Sequence, residues 1–376
     1  MEASSQPGSL TVKKPFMSST FIRVVKYTAV RLVVLFITVA VAIYLTILIA
    51  NMGGYVDTMM RSEIEYNVTQ QVINNPNSRN MSTEQKKTME TQMIAAAIKM
   101  RGLDLPLAVR NARYLTNALT LNLGHATIMV SDTGSRTVRL ILLERLPATL
   151  LLMGTSELFL FFSSLFLALS LSRQYGSWWD KLVIALTPTS SAPGWFYGIF
   201  MILIFAAVLK IMPFSGLVSA PPPENPVLYA LSVLQHLVLP AFSLFFSGFF
   251  LSIYAWRTFF LIYSSEDYVD MAKAKGLTSR DIERRYILRP TLPNIITNFA
   301  LTLISVWGGA IVTETIFIWP GLGRMFYTAI GLYDIPVIVG DTIIYAYLLA
   351  ITVFVLEIVY ALVDPRVKIG GGGSQA

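Results

Sequence analysis

Apolar runs of about 20 residues or more recur along this chain, and no other feature limits its fold as strongly. A helix needs roughly 20 mostly apolar residues to cross the hydrocarbon core of a bilayer. Runs of that length fall at about 27–50, 146–170, 182–212, 228–263, 292–318 and 337–363. Hydrophobic residues make up 54% of the chain and charged residues 14%, where a soluble domain carries about 25% charged residues. Much of the apolar surface must therefore face lipid or other membrane helices. The expectation is an all-α membrane protein of about six transmembrane helices.

The remaining composition narrows the function. The absence of cysteine removes disulfides, thiol catalysis and Cys-based metal sites. The net charge of +7 lies in basic residues that flank the apolar runs, which is a membrane-protein distribution rather than a nucleic-acid footprint. Lys13, Lys14, Arg23, Lys26 and Arg31 precede or begin the first run, which is too long for a cleaved signal peptide and reads as a retained span. The GGGGS stretch at 370–374 reads as a flexible linker.

Breakers shape the spans. Pro147 sits near the expected first turn of span two, where proline is tolerated. Pro188 and Pro193-Gly194 interrupt span three, so a broken or kinked helix is expected there. Pro240 lies inside span four, and Gly308 and Gly309 fall near the middle of span five. Between spans one and two lies a polar stretch, 51–145. Ser82 followed by Gln85 is a capping-box pattern. Met89, Met93, Ala97 and Met100 then recur at helical spacing, which predicts a small helical subdomain with a methionine packing face. Asn67-Val68-Thr69 and Asn80-Met81-Ser82 are glycosylation sequons.

Charge sets the orientation. With the N-terminus in the cytoplasm, six spans place Arg173, Lys181, Lys273, Lys275, Arg280, Arg284, Arg285, Arg289, Arg366 and Lys368 inside. The short outer loops carry little, only Lys210 and Arg324, which fits the positive-inside rule. The insertion 51–145 is then extracytoplasmic.

Catalytic patterns are missing. There is no HExxH, no GxSxG and no Walker A loop, so the chain lacks the usual Gly-rich cradle for ATP. His125 and His236 read as structural or interfacial. Intramembrane charges invite functional readings, and Glu157, Arg257, Glu314 and Glu357 are the candidates. Arg257 and Glu357 lie toward cytoplasmic span ends and are expected to snorkel. Glu157 and Glu314 are the mid-depth groups. A carboxylate relay through them would make the chain a proton-coupled carrier. A third reading, a receptor, would put ligand binding in the outer insertion.

The segment between spans four and five, 266–289, is charged and too long for a simple hairpin. Asp267 to Lys275 can form a short helix, which Gly276 can stop by taking the left-handed conformation. Thr278 with Asp281 can start a second helix. Val269, Ala272 and Gly276 share one face of the first helix, and small residues there would let a partner approach closely. A helix laid into a groove is a common recognition mode.

These residues also carry a resemblance. Asp267-Tyr268-Val269, Ala272 and Ala274-Lys275-Gly276-Leu277 resemble the "EAA" loop of permease subunits of ATP-binding-cassette (ABC) importers, in the form found in the first membrane subunit of dipeptide/oligopeptide permeases. Glu144-Arg145-Leu146-Pro147-Ala148-Thr149-Leu150 is similar to that family's ERLPATL lead-in to span two. Tyr175-Gly176-Ser177-Trp178-Trp179-Asp180 resembles its GSWxD turn, and His236-Leu237-Val238-Leu239-Pro240-Ala241 its HLxLPA stretch. Gly308-Gly309-Ala310, Glu314-Thr315-Ile316-Phe317 and Trp319-Pro320-Gly321-Leu322-Gly323-Arg324 resemble its GGA…ETxFxWPGLGR block. Tyr360-Ala361-Leu362-Val363-Asp364-Pro365-Arg366 resembles its YALxDPR ending. The likeness runs from about 115 to 368. It departs from the pattern at Asp270-Met271-Ala272, where Glu-Ala-Ala is general. The outer loop is longer than usual, and Asn51-Met52-Gly53-Gly54 stands where a PGDP block usually follows span one.

The resemblance implies a type I ABC importer permease fold, with a cytoplasmic segment 1–26, a first helix 27–50, the insertion 51–145, a core 146–368 holding the EAA-like loop 264–290, and a tail 369–376. It implies a non-enzymatic subunit of a plasma-membrane importer with both termini in the cytoplasm. Its expected partners are a second permease, two cytoplasmic ATPase subunits that hold the ATP and magnesium, an extracytoplasmic binding protein and membrane lipid, with no cofactor or nucleic acid on this chain. Peptides are the implied cargo, with oligosaccharides or another small solute as the alternative. ATPase docking falls to Asp267, Tyr268, Val269, Asp270, Ala272, Ala274, Lys275, Gly276, Leu277, Arg285 and Arg289. The translocation path or its gate would draw on Glu157, Pro193, Trp195, Gly308, Gly309, Glu314 and Trp319.

Overall fold

The computed structural model describes residues 16–52, 54–76, 81–306 and 310–363. Among them the secondary structure is helical, apart from one isolated bridge between His125 and Thr137. Helix α1 (Phe16–Met52) leads into the insertion, built of α2 (Tyr55–Asn74), α3 (Thr83–Arg101) and α4 (Leu107–Leu119). Then come α5 (Val138–Arg173), α6 (Trp178–Leu186), α7 (Gly194–Met201) and α8 (Pro226–Ser264). The charged segment forms α9 (Asp267–Ala274) and α10 (Ser279–Ile282). The chain finishes with α11 (Arg289–Ser305), α12 (Ile311–Ile316), α13 (Leu322–Gly331) and α14 (Ile335–Val363).

Among the described residues, four helices are long and apolar enough to cross a membrane: Thr28–Met52, Val138–Arg173, Pro226–Ser264 and Ile335–Ile358. The bent pair Trp178–Ser191 and Gly194–Val208, turned by 97°, has the length and apolarity of a fifth span if the two pieces cross together. Pro193 occupies the break in an extended conformation, as N-cap of α7, because a proline there cannot donate to the turn before it. The expected fifth run, 292–318, is not one helix. It divides into α11 and α12, while Gly308 and Gly309 lie outside the described residues.

Span two also departs from expectation. Helix α5 starts at Val138, so Pro147 lies inside it rather than in its first turn. The early start has a packing cause. Val138, Ile141 and Leu142 are buried against Leu322, Met325 and Val337 from α13 and the start of α14. Burial of that face outweighs the one backbone hydrogen bond that the proline removes. Along its length α5 packs against α8. The two approach so closely at Gly248 that a Cβ there would lie 2.8 Å from Leu160 Cδ2, as small residues allow at helix crossings in membranes.

The insertion is a helical pair braced on the core. Ser82 and Gln85 form the reciprocal capping box at the start of α3. Ile64, Val68 and Val72 of α2 pack with Leu103, Met93, Ile94, Ala97 and Ile98. The packing face thus runs through Met93 and Ala97, whereas Met100 is 79% exposed, one step round the helix from it. Arg110 of α4 binds Asp57 at 2.6 Å, and Ala118 packs with Val39, Ile43 and Ile47 of α1 and Ile343 of α14.

Candidate functional site

Two ends of the core carry the informative chemistry. At one end, α9 runs from Asp267 to Ala274 and stops at Gly276, whose φ of +74° is favourable for a residue without a Cβ. Thr278 then caps α10 by accepting from Asp281 N–H at 3.2 Å. Helix α10 does not end as a separate element. It continues through wide turns at Glu283–Leu288 into α11, with helical dihedrals at Ile282 and Leu288. Pro290 and Pro293 lie just beyond those turns. Each lacks an N–H, and a wider helical turn is one way a helix absorbs that loss. The second helix of the loop is therefore the base of span five, so a force on one moves the other.

The loop is seated on its own subunit. Val269 and Ala272 are 1% and 2% exposed. With Ile282 and Ile287 they pack against Leu171 of α5, Val183 of α6 and Ile253 and Phe260 of α8. This corrects the expectation that Val269, Ala272 and Gly276 present a face to a partner: Val269 and Ala272 turn inward. Tyr268 is half-buried beside Tyr286, ring centroids 6.5 Å apart, and burial, with Glu266 and Tyr263 nearby, raises its phenol above the ordinary value. Asp267, Asp270, Met271, Ala274 and Lys275 face outward. Leu277 is half-buried, and Arg285 and Arg289 are exposed.

Beneath the loop lies a buried ion pair that sequence reading missed. Arg257 of α8 is 6% exposed and Asp180 of α6 1%. They form a two-pronged pair, Nε to Oδ1 and Nη2 to Oδ2, the latter at 2.6 Å. Asp180 also accepts from Gly176 N–H at 2.9 Å, and the Tyr175 ring lies 5.2 Å from the guanidinium carbon. Arg257 thus does not snorkel. The only sequence signal was a carboxylate in the turn after span two and an arginine near the same end of span four. Arg173, at the end of α5, binds Glu283 at 2.8 Å and ties the loop to span two.

At the opposite end Glu314 is wholly buried. Its carboxylate accepts from Thr149 Oγ1 at 2.9 Å and from Arg324 N–H at 2.9 Å. Thr149 in turn accepts from Leu322 N–H at 2.7 Å. Trp319, also wholly buried, donates from Nε1 to the Ala148 carbonyl at 2.8 Å. A Cβ on Gly321 would lie 2.4 Å from the Glu314 oxygens, so the turn closes over the carboxylate only because no side chain is there. Glu314 and Trp319, expected along a path or gate, instead staple the 314–324 turn to 148–149 of α5. A buried carboxylate held by fixed donors can serve as a structural group. Asp334, which the sequence did not flag, plays the same part nearby: it accepts from the N–H groups of Thr127, Ile128 and Met129 at 2.8–3.0 Å.

The other path candidates are scattered. Pro193 stands at the bend as N-cap of α7, and Trp195, 37% exposed, lies in the first turn of α7. Glu157 lines a cavity between α5, α8 and α11. Glu357 of α14 binds Arg31 of α1 at 3.5 Å.

Several apolar spans, a broken helix and a charged loop continuous with a span define a multi-pass membrane protein, with no catalytic constellation in view among the described residues. Comparison with known proteins makes the class specific. Residues 148–369 match the model of the binding-protein-dependent transport system inner membrane component, and the chain belongs to that family. It is a non-enzymatic permease subunit of an ABC importer. It is 31% identical over 276 residues to the oligopeptide transport system permease protein AppB of Bacillus subtilis, covering 72% of this chain and 84% of that one. It is 32% identical over 298 residues to the probable D,D-dipeptide transport system permease protein DdpB of Escherichia coli, covering 72% and 83%. The di/tripeptide permease protein DppB of Pseudomonas aeruginosa is 30% identical over 298 residues, covering 75% and 87%.

Proposed function

We propose that the chain pairs with a second permease to form the passage for di- or oligopeptides. An extracytoplasmic binding protein delivers the cargo, and two cytoplasmic ATPase subunits that hold ATP and magnesium drive the cycle. Both termini lie in the cytoplasm, with the insertion of α2, α3 and α4 outside. The observation that carries this reading is the seating of α9. Its inner face is packed into the subunit while its outer face offers Asp267, Asp270, Met271 and Lys275. A helix exposed on one side and locked to three spans on the other can pass a push from a partner into the bundle.

Peptide cargo draws support from the relatives named for oligopeptides, D,D-dipeptides and di/tripeptides. The test is uptake by proteoliposomes that hold the assembled importer and its binding protein. ATP-dependent accumulation of a labelled tetrapeptide is expected, with none when the ATPase subunits are omitted. Uptake of an oligosaccharide but of no peptide would overturn the cargo assignment.

A further inference from the structure

The cavity between α5, α8 and α11 has a volume of about 340 Å³ and is lined by Glu157, Ser252, Trp256, Phe259, Asn298 and Thr302 among others. Ligand pockets start near this size. At 1.5 Å per residue, about 24, 18 and 14 Å of helix separate Glu157, Ser252 and Asn298 from the helix ends at Arg173, Ser264 and Arg289. The cavity therefore sits at mid-length of the apolar helices, with Glu157, Ser252, Trp256, Phe259 and Thr302 half-buried and Asn298 at its exposed side. Asn298 and Thr302 return hydrogen bonds to their own helix. Among the described residues no hydrogen bond or ion pair reaches the Glu157 carboxylate or the Ser252 hydroxyl, and Glu157 is the one ionisable group on the cavity wall.

A carboxylate at that depth is costly unless something pairs with it. A relay needs a second titratable group within reach, and the wall supplies none. It supplies instead the aromatic side chains of Trp256 and Phe259, an edge-to-face pair with centroids 5.6 Å apart, and aromatic rings attract organic cations. A lipid headgroup ammonium is at the wrong depth. We infer that this cavity is a subsite for the ammonium group of the cargo, with Glu157 as its counter-ion and Trp256 and Phe259 as its walls. The inference rests on the permease reading and adds a recognition element to it.

The test uses the natural absence of cysteine. In the full chain, Ser252→Cys supplies a single thiol on the cavity wall. Its reaction with a trimethylammonium-bearing thiosulfonate is compared with that of a neutral methyl thiosulfonate. With Glu157 intact the cationic reagent should be favoured, and Glu157→Gln should lower that preference about tenfold, the scale of a charge pair out of bulk water. An equal preference in both backgrounds overturns the subsite, whether or not the importer is active. A second arm measures uptake by the assembled importer without the cysteine. Glu157→Gln should depress transport of tetraalanine far more than of its N-acetylated form, while Glu157→Asp restores the difference. Equal losses for both peptides overturn the assignment to the cargo ammonium. Failure of uptake with Glu157 intact would count against the permease reading, which the thiol arm does not depend on.

Discussion

Two buried acidic residues, Asp180 and Glu314, show how charge is made tolerable inside this bundle. Asp180 has a full bidentate partner in Arg257, so each removes the other's burial penalty. Arg257→Met strands the carboxylate, and a loss of about 3–5 kcal/mol is expected. Thermal unfolding of the detergent-solubilised protein should show it. The double variant Arg257→Met with Asp180→Leu should recover much of that loss, because the uncompensated charge is gone. Glu314 instead meets neutral donors. Glu314→Gln keeps one acceptor oxygen and should be mild. Glu314→Ala leaves the Thr149 hydroxyl and the Arg324 amide short of an acceptor, at about 1–3 kcal/mol each, and should lower the unfolding temperature further. Equal effects of the two substitutions would contradict the stapling role. Neither partner set was legible in the sequence. Asp180 and Arg257 are 77 residues apart, Glu314 and Thr149 165 apart, and only the packed fold brings them together.

At the scale of elements, α9 and its stop were readable: Gly276, Thr278 and Asp281 do locally what their chemistry favours. Which face turned inward was not readable, since Val269 and Ala272 suit a partner groove as well as a subunit core. The continuity of α10 with α11 was hidden by Pro290 and Pro293, which read as helix breakers until wide turns absorb them. The same limit applied to α5, where packing on α13 and α14 carried the helix back past Pro147. Ala272→Trp has a different meaning once Ala272 is known to be buried. It overpacks the contact with α5, α6 and α8, costing about 1–3 kcal/mol, and should tilt α9 off its seat. Gly276→Pro would break the turn that sets the angle between α9 and α10. Both variants should insert into the membrane normally, yet lose the coupling of ATP hydrolysis to uptake. Coupled uptake at the unsubstituted rate in both would contradict the seating of α9 as the transmitting contact.

For the molecule as a whole, periodicity and charge sufficed for the class, while the span count needed the structure. Span three turns by 97°, and span five is divided between α11 and α12. Such interruptions are tolerated at membrane depth where the freed backbone groups lie against protein rather than lipid. One end of the bundle is held by Glu314 and Asp334, and the charged end by Asp180, Arg257, Arg173 and Glu283. Between these fastenings lies the Glu157 cavity, walled by α5, α8 and α11. Under the proposed function, the outward face of α9 would receive the ATPase and its inward face, packed on α5, α6 and α8, would pass the motion on. The adjacent residues Met271, 61% exposed, and Ala272, 2% exposed, separate those two faces. Because the chain has no cysteine, Met271→Cys and Ala272→Cys can each be the sole thiol of this subunit in the assembled importer. Disulfide or short-linker cross-linking to a cysteine placed in the ATPase cleft should capture Met271→Cys and spare Ala272→Cys; cross-linking at neither position, or at Ala272→Cys alone, would contradict the account.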